Sequence, residues 1–173
     1  LNKRIMILDG AMGTMIKKPQ LQENDYRGQR FSDFHKPLKG NNDLLVLTQP
    51  EIIKNIHREY LAAGADIIET NTFNANIISM IDYDMVDLVD EINSEAVRLA
   101  KEACVEFSTP DKPRFVAGAL GPTNKTASIS PQVNDPSFRD IDFDTLANVY
   151  YRQAKVMIDA GVDILLVETI FDT

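Results

Sequence analysis

The chain has 173 residues, of which 44% are hydrophobic and 25% charged, ordinary fractions for one globular domain able to bury a core. Its formal net charge of −8 argues against a nucleic-acid partner, because phosphate binding needs a basic surface. The one cysteine, Cys104, leaves no internal disulfide and fits a reducing, cytoplasmic compartment, and no apolar run approaches the length of a membrane span.

Ile5 to Asp9 reads as a short buried strand closed by the turn residue Gly10. A long polar segment rich in Gly, Pro and charge follows to about Asn42. Thr48-Gln49-Pro50-Glu51 has the pattern of a capping box, and Ile52, Ile53, Ile56 and Tyr60 then recur at helical spacing until Gly64. His57, inside that helix, is expected on its surface. Asp66 to Thr70 is a second strand. Met85 to Phe107 is a helix with Val89, Ile92, Ala96, Leu99 and Ala103 on one face. Arg114 to Leu120 is a third strand, residues 121–142 form a long loop, Phe143 to Ala160 is a helix, and Asp163 to Val167 is a fourth strand ending at Glu168. No signal peptide precedes the first strand. A start without Met and an end directly after a strand mark the chain as a piece of a longer protein.

The order β-α-β-α-β-α-β makes a parallel sheet with right-handed crossovers. Its strand-to-helix loops are long and its helix-to-strand loops short, and long loops at the C-terminal ends of parallel strands are where such folds place their sites. Doubly wound sheets and barrels share that rule. An internal echo favours the barrel: Ala63-Gly64-Ala65-Asp66-Ile67-Ile68-Glu69-Thr70 resembles Ala160-Gly161-Val162-Asp163-Ile164-Leu165-Leu166-Val167-Glu168-Thr169. The expected fold is therefore α/β, a (β/α)8 TIM barrel of which residues 1–173 cover about the first four βα units. Half a barrel leaves two apolar strand edges open.

The candidate chemistry lies at strand ends. Asp9-Gly10-Ala11-Met12-Gly13-Thr14 is a turn whose glycines permit positive φ and close approach of a ligand carboxylate to peptide N–H groups, with Asp9 beside it to meet an ammonium. The same residues also suit a tight turn in which Asp9 caps its own backbone. If Ile164 and Leu166 fill the barrel interior, alternation points Glu168 into the mouth of the site; otherwise it pairs with a neighbouring loop. Glu69 holds the matching place in the echo. Thr70, Asn71, Thr72 and Asn74 either line a pocket or make turns. Cys104 falls mid-helix and reads as buried and structural, and with His35 and His57 it forms no spaced ligand set for zinc. The acidic series Asp82, Asp84, Asp87, Asp90, Glu91 and Glu95 reads as a solvated face.

Several words of the sequence resemble a known family. Ile7-Leu8-Asp9-Gly10-Ala11-Met12-Gly13-Thr14-Met15, Gly40-Asn41-Asn42-Asp43-Leu44-Leu45-Val46-Leu47 and Ala63 to Phe73 are similar to successive blocks of the homocysteine-binding domain. Gly118 to Pro131 is similar to a segment of the cobalamin-dependent methionine synthases, and the betaine-type homocysteine methyltransferases look less like it there. The resemblance spans essentially the whole chain and implies a barrel that binds homocysteine at its C-terminal face. It implies Asp9, the backbone around Gly10 and Ala11, and Glu168 as holders of the amino-acid head group, with Asn71 from the following polar cluster beside them. It also implies zinc, held in the family by three cysteines that would lie beyond Thr173, and cobalamin and folate carried by other modules of the same protein. The activity so implied is transfer of a methyl group from methylcobalamin to a homocysteine thiolate, giving methionine. The rival readings are a corrin-free homocysteine methyltransferase with a small methyl donor, a non-catalytic half barrel that only associates, and a barrel lyase or aldolase, for which no strand-end Schiff-base lysine is evident.

Overall fold

The structure is a computed structural model that describes residues 4–170 and 172. Its elements are α1 (Met12–Lys17), α2 (Glu23–Arg27), α3 (Leu45–Thr48), α4 (Pro50–Ala63), β1 (Ile67–Glu69), α5 (Ile77–Ile81), α6 (Val89–Phe107), β2 (Phe115–Leu120), α7 (Phe143–Asp159) and β3 (Ile164–Val167). The sheet is parallel in the order β1-β2-β3, and Leu8 bridges Ile67 in parallel on the outer side of β1. Four segments thus lie side by side in chain order, without the reversal that marks a doubly wound sheet.

The first strand is shorter than the sequence suggests. Its apolar run makes a single bridge at Leu8, because an aspartate takes over one rung of the ladder. The Ile7 N–H donates to Asp66 Oδ2 at 3.0 Å instead of to a strand carbonyl, while Ile7 O accepts from Asp66 and Ile67. Asp163 does the same one unit later, accepting the Val116 N–H at 2.8 Å. This is the physical content of the repeated Gly-x-Asp words. Gly64 and Gly161 leave their helices at φ +112° and +89°, a conformation that costs glycine little, and the Asp two residues on clamps the start of the preceding strand.

The pairing register puts Ile67, Glu69, Ala117, Ala119, Ile164 and Leu166 on one face of the sheet. The opposite face meets the helices: Ile68 and Val116 pack with Leu61, Ala100, Ala103 and Cys104, and Leu120 packs with Val97 and Met157. All five residues expected on the apolar face of α6 are buried. Leu165 and Val167 lie on the helix-facing side but stay 38% and 64% exposed, with no helix among the described residues following β3 to cover them.

Four further expectations are corrected. The polar segment after Gly10 is not bare loop: it folds into α1 and α2 and sends Ile16, Tyr26 and Leu38 into the main core. Glu23 and Arg27 hold it together, Glu23 accepting the Leu38 and Lys39 N–H groups and Arg27 donating to the carbonyls of Phe34 and Lys36. Thr48 is not a helix cap. Pro50 sits in the first turn of α4 and the N-cap is Gln49, which leaves Thr48 as the last residue of α3 with its hydroxyl buried and unpartnered. The helix expected from Met85 starts as a 3-10 turn, Val86–Leu88, and becomes α-helical at Val89. His57 is fully buried on the α4 face that carries Ile53 and Leu61, both ring nitrogens lack partners, and burial pushes its pKa down to about 4. Among the acidic series, several carboxylates are exposed but paired: Asp84 with His35 and Lys36, Glu91 with Arg30, and Asp90 with Arg152.

Candidate functional site

A cavity of about 320 Å³ opens at the C-terminal ends of the strands. Its floor and one wall are Glu69 and the residues that follow it, as far as Asn74. The first turn of α1 supplies Ala11, Met12 and Gly13, the approach to α3 supplies Asn42 and Asp43, and Glu168 closes the far side.

Of the five residues expected to hold the amino-acid head group, three line this space: Ala11, Asn71 and Glu168. Glu168 continues the ladder past β3, its N–H donating to Leu120 O at 3.1 Å. Since Ile164 and Leu166 share the face of Glu69, alternation carries Glu168 to that face as well. Thr169 then turns away at φ +59°, a strained conformation for a β-branched residue. Asn71 is buried and donates from Nδ2 to Asn42 O at 2.7 Å, which ties the β1 exit loop to the approach of α3.

Asp9 and Gly10 do not line the cavity. Asp9 stands behind it, where Oδ2 accepts the Glu69 N–H at 3.0 Å and Oδ1 is buried without a partner. Asp9 therefore bonds the neighbouring strand's end rather than its own turn. The positive φ that the glycines of this turn permit is used at neither Gly10 nor Gly13. Space at Gly10 is tight instead: a Cβ there would lie 3.1 Å from the Tyr60 hydroxyl. Thr70 and Thr72 are spent on structure. Their hydroxyls bond each other at 2.7 Å, Thr70 accepts the Ala119 N–H and Thr72 donates to Ala119 O, extending the β1–β2 ladder by side chains.

Sequence reasoning passed over Asp43. It is 3% exposed, lines the cavity, and accepts a long 3.4 Å bond from the Asn74 N–H. Its one sequence signal was its place beside two asparagines in a block already singled out. The cavity thus presents Asp43, Glu69 and Glu168, and no Lys, Arg or His among the described residues lines it. Burial pushes Asp43 up to about 7. Burial and then the Glu168 charge push Glu69 up to about 7. Burial also raises Asp9 to about 7, with the charges of Glu69 and Glu168 adding to it, and raises Glu168. Such a site favours a cationic ligand group, which restores the ionised carboxylates. No group of three or more His, Cys, Asp or Glu able to hold a metal occurs among the described residues. Cys104 is buried, and its thiol is pushed up to about 12 by that burial, so it offers no thiolate.

A second cavity, of about 440 Å³ and mostly apolar, lies between α7, β3 and the loop 121–142, with Phe143, Leu146, Tyr150 and Val167 in its wall. It carries no arrangement of groups suited to chemistry. No helix among the described residues is long and apolar enough to cross a membrane.

Comparison with known proteins places this geometry. The sequence model of the family described as homocysteine S-methyltransferase matches residues 6–173. Three solved structures with a similar fold are forms of the homocysteine methyltransferase MmuM from Escherichia coli, each 20% identical to this chain. The metallated form superposes with a TM-score of 0.73 over 99% of this chain and 56% of its own length. The oxidised form gives 0.70 over 95% and 53%, and the apo form 0.60 over 95% and 49%. The chain therefore spans about half the length of these proteins, and at this identity the likeness speaks for the fold alone.

Proposed function

We propose that this chain, which belongs to the homocysteine S-methyltransferase family, forms the first half of a (β/α)8 barrel and supplies the amino-acid-binding side of a homocysteine methyltransferase. The half-barrel reading is supported by four parallel segments in unbroken chain order and by the uncovered apolar residues at both edges of the sheet. Ile5 and Ile7 are exposed on one side, Leu165 and Val167 on the other.

The observation that carries the substrate reading is the acidic cavity at the strand C-termini, with three carboxylates and, among the described residues, no basic side chain in its wall. In this reading Glu168 and Glu69 take the ammonium of homocysteine, and Asp9 orients Glu69 from behind through its peptide N–H. The peptide N–H groups of the opening turn of α1, at Ala11 to Gly13, face the substrate carboxylate. Asn71 holds the loop that frames the pocket. The contribution of these residues to the reaction is orientation: fixing the amino-acid end restricts where the sulfur can be, and so lowers the entropic cost of methyl transfer.

The finer reading is a methionine synthase of the cobalamin-dependent type, and its support is the sequence block Gly118 to Pro131. Zinc, which activates a thiol by displacing its proton, does not fit the described residues, since no suitable ligand group occurs among them. Its ligands, like the modules for cobalamin and folate, would belong to other parts of a longer cytoplasmic protein. Titration calorimetry of the complete protein tests the substrate reading. One homocysteine should bind per chain, and N-acetylhomocysteine, which lacks the cationic amine, should bind at least tenfold more weakly. Equal affinity for the two would remove the assignment of the carboxylates to the amine.

A further inference from the structure

We propose that the acidic cavity captures its amine by exchanging a proton: Glu69 and Asp43 hold protons when the cavity is empty and release them when a cationic amine enters. This rests on the reading of the cavity as the amino-acid head-group site, and it adds to that site Asp43 and a pH dependence.

The geometry leaves the empty site little alternative. Glu69 faces Glu168 across the cavity, and Asp9 sits behind it against its own peptide N–H. The other groups facing Glu69 do not relieve it. Tyr60 from α4 is a neutral phenol raised by burial and by the charges of Asp9, Glu59 and Glu69, and β2 presents Ala117 and Ala119 on this face. Behind the sheet, α6 contributes Cys104, whose thiol stays protonated. Asp43 is 3% exposed, faces the neutral phenol of Tyr83, and accepts a long hydrogen bond from the Asn74 peptide N–H. Glu69 beside Glu168, and Asp43 buried by itself, have no cation among the described residues of the wall to offset their charge, and protonation removes that cost. Burial and the Glu168 charge accordingly put Glu69 near 7, and burial alone puts Asp43 there.

An entering ammonium supplies the missing positive charge. The exchange balances simply: a carboxyl O–H gives its proton to solvent, its carboxylate pairs with the ammonium, and no other bond changes. Binding therefore strengthens as pH rises through about 7 and levels off above it, with a slope of up to about tenfold per pH unit for each proton released.

The test is titration calorimetry of the complete protein with homocysteine at about pH 6 and about pH 7.5, in buffers of different ionisation enthalpy, which counts protons released per ligand. A free thiol has a pKa near 8.5. Any proton it gives up is therefore nearly constant over this range and common to all variants. The expected result is that release falls by more than about half a proton between the two pH values in the wild type. The change should shrink in Glu69→Gln and in Asp43→Asn, each of which keeps the side-chain shape. Homocysteine that binds with the same proton count at both pH values overturns the inference and leaves the substrate reading standing. Failure of homocysteine to bind at all removes both. The wild-type comparison decides the matter even where a variant does not fold.

Discussion

Glu168→Gln keeps the volume of the side chain and removes its charge, so it separates binding from architecture. The backbone of Glu168 holds its own rung, N–H to Leu120 O at 3.1 Å, and that bond does not depend on the carboxylate. The side chain lines the cavity, is partly buried, and has its pKa raised by that burial. A hydrogen bond between a charged pair in such a setting contributes about 1.5–3 kcal/mol, which corresponds to roughly 10- to 150-fold in Kd. The loss should stay in that range because Glu69 remains to meet the same ammonium. Calorimetric titration of the complete protein with homocysteine is the assay, with the thermal midpoint as the control for folding. The structure also refines what to expect of Asp9→Asn. Asp9 touches the site through the Glu69 N–H, so its effect should be the smaller one, and the double variant should lose less than the sum because both act on one group. A Kd for Glu168→Gln within about twofold of wild type, with the protein folded, would refute the reasoning and return Glu168 to a loop-pairing role.

Three other expectations follow from the fold. His57 has its folded pKa pushed from an ordinary value near 6.5 to about 4. Between those values the unfolded chain binds a proton that the folded chain refuses, so stability falls as pH drops through that window, by about 2–3 kcal/mol at pH 4.5. His57→Leu should remove that loss in denaturant unfolding at pH 7.5 and 4.5, and an equal loss in variant and wild type would contradict the burial. At Gly121 an added Cβ would lie 2.3 Å from the Phe73 carbonyl oxygen, a backbone atom with little freedom to yield; Gly121→Ala should cost about 1–3 kcal/mol, and an unchanged thermal midpoint would show that the loop has room. Residues 1–173 alone, with Ile5 and Ile7 exposed at one sheet edge and Leu165 and Val167 at the other, should self-associate or partly unfold. Sedimentation of a stable, cooperative monomer would count against the half-barrel reading.

The strands β1, β2 and β3 and the helices α4, α6 and α7 were legible because each announces itself locally. Gly64 and Gly161 end helices, Asp66 and Asp163 start strands, and Val89, Ile92, Ala96, Leu99 and Ala103 recur at helical spacing. Part of what escaped depended on contacts distant in sequence. The first strand shrank to one bridge because the Asp66 carboxylate, 59 residues away, takes its rung. His57 looked like a surface residue because an imidazole is polar, but it lies four residues after Ile53 and four before Leu61, on the buried stripe of α4. Thr48 matched a capping pattern whose start Pro50 then displaced by one residue. At the site, Glu168 and Asn71 were visible as polar residues ending or following apolar strands. Asp43 was not, since its burial against Asn74 is created only when the loop before α3 folds over the end of β1. The positive φ that glycine permits was not needed at Gly10 or Gly13. What the structure shows at Gly10 is close packing, a Cβ there lying 3.1 Å from the Tyr60 hydroxyl.

The central claim is that these residues form half of a closed barrel whose acidic mouth receives the amine of homocysteine. A crystal structure of the complete protein with homocysteine bound tests it most directly. The account predicts an eight-stranded barrel in which β3 and the Leu8 segment each gain a parallel neighbour, with the ligand ammonium within about 3 Å of the Glu168 and Glu69 carboxylates. A ligand whose amine lies away from both carboxylates, or a sheet whose edges at Leu8 and β3 remain unpaired, would contradict it.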